Sequence, residues 1–304
     1  MTTYQATTVL DNNSATDADL RSYFQSWYAA FETGPMEQTA DTGQINTSTM
    51  TWAGLSTSPS TPSYQIHKLN DELFDDAPIY IKTGWYVGSS MLRFSIGTGT
   101  GTDGAGNLTG FGFPLTQAGS PYTGVNVTVD VIGSGGEGYA SVFTDPGGNN
   151  SSYPHIANFS VGVFRTTDEN DQPDARGILL TYYYTSSSGG VGSAVAAGMR
   201  YVALDYQSMT YGTLGSYGYW QYGGTTGSVN PSLRKDVSRV VIPFSTFTWV
   251  CPYLIGTYRE EHSYGSPFVA NPSGNPHQYQ QVKGARYAGV NTDGSYSTLA
   301  VIWE

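Results

Sequence analysis

Val125, Val127, Val129 and Val131 stand at every second position, with Asn126, Thr128 and Asp130 between them. Side chains along a strand point alternately to opposite faces, so this stretch sets valines on one face and polar groups on the other. The same reading holds at Ile79–Val87, Met91–Ile96, Ile156–Arg165, Ile178–Tyr184, Met199–Tyr206, Val237–Pro243, Phe247–Thr257 and Ser297–Trp303. Turn signals lie between them, among them Asp103-Gly104, Pro146-Gly147-Gly148, Ser188-Gly189-Gly190 and Asp293-Gly294. Many short strands with Gly- and Pro-rich connections predict a mainly β chain, with antiparallel sheets in a sandwich or barrel-like arrangement. No repeat of fixed period is present.

One segment departs from this pattern. Leu20, Phe24, Trp27, Tyr28 and Phe31 recur at helical spacing, which predicts an amphipathic N-terminal helix over roughly 17–32. Thr16 and Asp19 form a candidate capping pair, and Thr33-Gly34-Pro35 is a stop signal. A brief helical turn is expected around Leu69–Phe74. The Ser/Thr/Pro stretch at 56–63 is the best linker candidate. It divides the chain into a helical segment with linker, 1–62, and a β-rich body, 63–304, with a Tyr/Gly-rich C-terminal third. The helical stripe is too apolar to face water, and a lone helix of this length is marginal. The expectation is that it lies on a sheet face of its own body, with Phe24 and Trp27 buried.

Composition narrows the function classes. Only 12% of the 304 residues are charged, against roughly 25% in an average globular protein. Gly accounts for 38 residues and Tyr for 24, so the surface is expected to be built from hydroxyls and amides. Aromatic residues at 14% argue against disorder. A net charge of -11 without any Lys/Arg cluster argues against a nucleic-acid groove, which needs cations to displace counterions. No apolar run approaches the ~20 residues of a membrane helix. The N-terminal string has neither the basic start nor the apolar stretch of a signal peptide. The single Cys251 can form no intrachain disulfide. These features fit a protein folded in a reducing cytoplasm, with no nucleic-acid or membrane partner.

Catalytic signatures are sparse. No Ser sits in a G-x-S-x-G elbow, and His67, His155, His262 and His277 have no recognisable partners in sequence. They read as surface or structural histidines. No H-E-x-x-H or paired Cys/His spacing points to a metal. The acidic stretch Asp168–Asp174 offers oxygen ligands of the kind Ca²⁺ takes, but reads first as a solvated hairpin tip between two strands. The run Gly97–Gly106 lacks the following helix or lysine of a phosphate cradle and reads as a surface or interface loop. Asp71 with Glu72, Asp75 with Asp76 and Glu260 with Glu261 are candidate carboxylate pairs for glycoside cleavage, read by default as solvated turn charges. The sequence thus assigns no catalytic residue, cofactor or metal. The most unusual stretch is Tyr211–Gly224, where Tyr211, Tyr217, Tyr219, Trp220 and Tyr222 are candidates for a subunit interface or, alternatively, sugar stacking.

Three strings carry a family resemblance: DADLRSYFQSWYAAFETGPMEQTADTGQINTSTM, YQIHKLNDELFDDAPIYIKTGWYVGSSMLRFSIGTGTGTDGAGNLTG and ANFSVGVFRTTDENDQPDARGILLTYYY. Together they resemble a family of tailed-bacteriophage virion structural proteins, associated with tail, neck or capsid. The resemblance covers about residues 15–185; the C-terminal third is similar in character only. It implies a non-enzymatic component of tail, baseplate or neck, assembled in the host cytoplasm as a homo-oligomer with other virion proteins. The alternative is a host-recognition protein that binds or depolymerises a glycan. The resemblance carries no functional residues with it.

Overall fold

The computed structural model describes residues 2–9, 16–88, 91–119, 128–145, 159–167, 173–183, 198–205, 210–214, 238–244, 247–258, 267–270, 280–289 and 297–302. The chain opens with β1 (Thr2–Val9), α1 (Asp17–Phe31), β2 (Met36–Gln38) and a 3-10 turn at Trp52–Gly54. Then come β3 (Ser63–Leu69), β4 (Tyr80–Gly88), β5 (Met91–Gly99), β6 (Gly101–Thr102), β7 (Leu108–Thr109) and β8 (Thr116–Gly119). The middle of the chain supplies β9 (Thr128–Gly136), β10 (Tyr139–Asp145), β11 (Phe159–Thr167), β12 (Pro173–Tyr183), β13 (Gly198–Asp205) and β14 (Thr210–Leu214). The last strands are β15 (Ser238–Phe244), β16 (Phe247–Tyr258), β17 (Pro267–Ala270), β18 (Gln280–Gly289) and β19 (Ser297–Ile302). All pairings are antiparallel, and the chain is mainly β with one helix among the described residues.

The strands form a smaller sheet in the order β2-β3-β4-β5-β8 and a larger one that begins β1-β9-β10-β11. In the larger sheet, β12, β13 and β14 continue from β11, while β16 joins it through a single pair, Thr167 with Val250. No barrel closes among the described strands. The N-terminal segment contributes β1 to the larger sheet and β2 to the smaller one. The stretch at 56–63 runs directly into β3, with the Ser56 N–H bonded to Ser63 Oγ at 2.9 Å. Where a brief helical turn was expected near Leu69–Phe74, Leu69 ends β3 and isolated single turns follow at Asp71–Ala77, closed by Phe74 N–H to Asp71 O (3.1 Å) and Ala77 N–H to Leu73 O (2.8 Å), without extending into a helix.

Helix α1 matches its sequence signals within a residue. Thr16 Oγ1 accepts from Asp19 N–H, and Asp19 Oδ2 accepts from Thr16 N–H at 2.9 Å, a reciprocal capping box built with Asp instead of Glu. A second segment braces the same end: the Trp52 N–H donates to Asp17 Oδ1 (2.8 Å) and Arg21 Nη1 to Met50 O (3.1 Å). The helix lies in the core between the two sheets. On one side Trp27 meets the rings of Trp85 (5.4 Å) and Phe94 (5.8 Å) from β4 and β5. On the other, its C-terminal turn rests on β9. A Cβ on Gly133 or Gly135 would collide with the carbonyls of Ala30 and Thr33, so side chains are excluded there. Leu20, Phe24, Trp27, Tyr28 and Phe31, the whole predicted stripe, are buried.

The Tyr28 hydroxyl, carried inward by this helix, is paired. Tyr28 hydroxyl accepts from Trp85 Nε1–H at 3.0 Å and lies 3.0 Å from Thr83 Oγ1. Burial pushes the Tyr28 and Tyr23 phenols above their ordinary values, so both stay neutral. His67, fully buried on β3, stacks on Tyr28 with centroids 5.5 Å apart and sets Nε2 2.9 Å from Glu32 Oε1. Glu32 caps the helix C-terminus, where the dipole disfavours an anion, and the imidazole supplies its partner.

Asp71 is not the solvated turn charge expected from sequence. Its side chain is 1% exposed and takes a two-pronged bond from fully buried Arg165, Nε to Oδ2 at 2.8 Å and Nη2 to Oδ1 at 2.9 Å. Arg165 stands on β11 just before a register shift, with its N–H on Gly138 O (2.7 Å). The pair therefore ties the turn after β3 to the larger sheet. Two outcomes follow. Trp27→Ala should cost about 3–5 kcal/mol of unfolding free energy in a denaturant melt, as large core truncations do. Asp71→Ala should cost a similar 3–5 kcal/mol by stranding the guanidinium, while Asp71→Leu with Arg165→Met together should recover most of that loss.

Candidate functional site

The string Gln38–Ile45 folds over the edge of β3 and replaces a strand there. Thr39 N–H donates to Ile66 O (2.9 Å) and Ile45 N–H to Tyr64 O (2.8 Å). Between them the Gln44 side chain behaves as an extra peptide group. Its Oε1 accepts from Ile66 N–H (2.7 Å), and its Nε2 donates to Thr39 O (2.7 Å) and Asp41 O (3.0 Å). A primary amide has the donor and acceptor of a backbone unit, which is why Gln suits this position. Thr39 Oγ1 then donates to Asp41 Oδ2 at 2.7 Å, which aims the other carboxylate oxygen outward from the loop.

That oxygen meets the glycine run. Gly106 N–H donates to Asp41 Oδ1 (3.2 Å), Thr42 N–H to Gly104 O (3.0 Å) and Tyr64 hydroxyl to Thr42 O (2.6 Å). Lys82 donates to Gly106 O at 2.6 Å and sits 4.0 Å from the centre of the Tyr64 ring. Asp103 closes the turn by accepting from the N–H groups of Ala105 (2.8 Å) and Asn107 (2.9 Å) and from Asn107 Nδ2 (2.7 Å). Gly97–Gly106 is therefore a folded element instead of a plain surface loop. Through Gly99 it belongs to β5, and its remainder supplies β6 and most of the turn that leads into β7. Its Gly/Thr alternation has a use: Thr98 Oγ1 accepts from Phe113 N–H (2.7 Å) and Thr100 Oγ1 from Phe111 N–H (3.2 Å). Gly97 and Gly112 let backbone lie directly on backbone, since a Cβ at either would clash with Leu115 or Thr98.

The electrostatics follow from this enclosure. Burial holds the Lys82 amine below its ordinary value, against the pull of Asp103 and Asp41. Burial, with Asp41 and Asp103 adding to it, raises the Tyr64 phenol. The Asn107 side chain, then the backbone N–H groups of Asn107 and Ala105, hold Asp103 below the usual carboxylate range. Asp41, Tyr64 and Lys82 each spend polar atoms on backbone groups of the facing loop. The arrangement is a brace that fixes two loops on the outer face of the smaller sheet. Shallow clefts of about 390 and 410 Å³ flank the Gly43–Asn46 ridge.

The sequence-derived candidates are scattered. Tyr211 lies on β14, opposite Leu204 of β13. Tyr217, Tyr219, Trp220 and Tyr222 lie outside the described residues, as do His155, His262, His277, Glu260 and Glu261. Of the proposed calcium stretch, residues 168–172 are likewise outside, and Pro173 and Asp174 begin β12. Among the described residues, no cluster of three or more His, Cys, Asp or Glu could hold a metal ion. No described helix is long and apolar enough to cross a membrane. Sequence reading missed the Asp41–Tyr64–Lys82 brace, whose only prior signal was the conspicuous QTADTGQI string. Because the folded Asp103 titrates lower than the unfolded chain, its stabilisation is complete above about pH 4 and lost as pH falls through the folded value. The melting-temperature gap between wild type and Asp103→Ala should thus hold from neutral pH to about pH 4 and close below it.

No family model, no curated protein and no solved structure matches this chain.

Proposed function

We propose that the chain is a structural component of a bacteriophage particle, in its tail, baseplate or neck, and that it acts by assembling with other virion subunits. One observation carries this reading. The first two strings that bear the resemblance fold into a single interlocked unit: one supplies α1, β2 and the Gln44 loop, the other β3 to β7. They meet at Tyr28 with Thr83, Gln44 with Ile66 and Asp41 with Gly106. Among the described residues these contacts build a frame, which suits a part whose task is to hold shape. We assign it no catalytic role and no cofactor. Its place is the virion, after assembly in the host cytoplasm. Mass spectrometry and antibody labelling of purified particles test the proposal. The chain is expected at fixed stoichiometry, and its absence from washed particles overturns the reading.

A second reading, recognition of a host glycan, draws on the cleft of about 410 Å³ lined by the amides of Gln38, Gln44, Asn46 and Gln65. Gln65 is 4% exposed, and its Oε1 has no hydrogen-bond partner among the described residues. Side-chain amides offer both donors and acceptors to sugar hydroxyls, although no aromatic ring among the described residues lines this cleft. A glycan array with a reducing-sugar assay separates the two readings: binding that Gln65→Leu abolishes favours recognition, and silence on both leaves the structural role.

A further inference from the structure

β1 ends the larger sheet. Its inner edge pairs with β9 from Thr2 with Gly135 to Val9 with Thr128 in unbroken register, and among the described residues no strand pairs with its outer edge. Proteins guard such edges with charged side chains, proline, a bulge or brevity. TTYQATTV has none of these: it carries no charge, Pro or Gly, and at 8 residues it exceeds the usual strand of about 5–6. Thr, Tyr and Val are the residue types that favour extended pairing.

The side chains are ordered by face. Tyr4 packs on the core, and Thr8 is buried with Oγ1 donating to Ser22 Oγ at 3.3 Å, so the even positions face α1. Thr3, Gln5, Thr7 and Val9 are exposed. A strand added to this edge must match faces, and the sequence itself supplies the match. Thr2-Thr3-Tyr4-Gln5-Ala6-Thr7-Thr8 reads almost alike from both ends about Gln5. A second copy, antiparallel about a two-fold axis through Gln5, sets Thr2 opposite Thr8, Thr3 opposite Thr7, Tyr4 opposite Ala6 and Gln5 opposite itself. Every residue keeps its face. The outer side gains Thr–Thr pairs, which are favourable across strands, and on the core side the small Ala6 leaves room for the Tyr4 ring. A net charge of -11 opposes contact between copies over the surface at large, but this strand contributes none of it.

We propose that β1 is a two-fold pairing edge, through which a second copy of this chain adds antiparallel and joins two larger sheets into one. This deepens the assembly reading above and rests on it only in taking copies of the chain as mutual partners. The contact from Thr2 to Thr8 spans about 20 Å, at about 3.4 Å per residue. Such a strip is narrow beside the ~1,600 Å² of a standard stable interface, so pairing is weak in dilute solution and fills where copies are concentrated.

Sedimentation equilibrium of the full chain over a hundredfold concentration range is the test. The mean mass is expected to climb toward twice that of the monomer. Gln5→Lys and Gln5→Glu, at an exposed position, should each keep the wild-type melting curve and remain monomeric throughout. Mixed in equal amounts, they should recover the dimer, because only this register sets residue 5 against itself. A wild type that stays monomeric, a dimer that survives either substitution, or a mixture that stays monomeric overturns the proposal. Its failure is distinct from that of the virion reading, which is decided on purified particles.

Discussion

The core of this fold depends on one helix that buries its aromatic stripe between two sheets and leaves only Ala18, Ser22 and Gln25 exposed. α1 presents aromatic rings to β4 and β5 and rests its last turn on β9, so it supplies the common interior of both sheets. A sheet of mixed polarity gains little from packing on another of the same kind; a stripe of Phe, Trp and Tyr gives each of them a partner. The helix carries two hydroxyl-bearing rings into that interior. Tyr28 is tolerated because Trp85 and Thr83 satisfy its oxygen, since an unpaired buried hydroxyl costs about 1–3 kcal/mol.

Outside the core, the chain solves its connections with polar side chains bonded to backbone. Gln44 stands in for a peptide group, Thr98 and Thr100 accept from passing N–H groups, Asp103 gathers two backbone amides, and Asp41 accepts one. This accounts for a composition rich in Thr, Gln, Asn and Gly. Such bonds need close approach of main chains, which glycine permits and longer residues forbid. Charge is reserved for a few tied positions. Arg165 with Asp71 is the most enclosed of them, and its fixed fork geometry suits a bidentate contact.

The fold class was legible because alternation and helical spacing are local. The helix ends were legible because Thr16, Asp19 and Gly34 act within a few residues of themselves. β1 was not, since its inward positions, Tyr4, Ala6 and Thr8, give too weak an apolar rhythm to stand out. Asp71 looked like an ordinary turn charge because its partner is 94 positions away. The brace around Lys82 was hidden for the same reason: Asp41, Tyr64 and Gly106 converge only once the smaller sheet exists. The glycine run was read by its flexibility, whereas its threonines and its lack of side chains are what the packing uses.

The order of synthesis gives the β1–β9 pairing a temporal cost. The first strand leaves the ribosome roughly 120 residues before its partner, a wait of about 6–25 s at 5–20 residues per second. Through that interval both of its edges are open and one side of α1 is uncovered, although β3 to β5 can already shelter the other. A nascent chain of this kind passes through a stage when neighbouring copies on one message could capture each other's N-terminal strands.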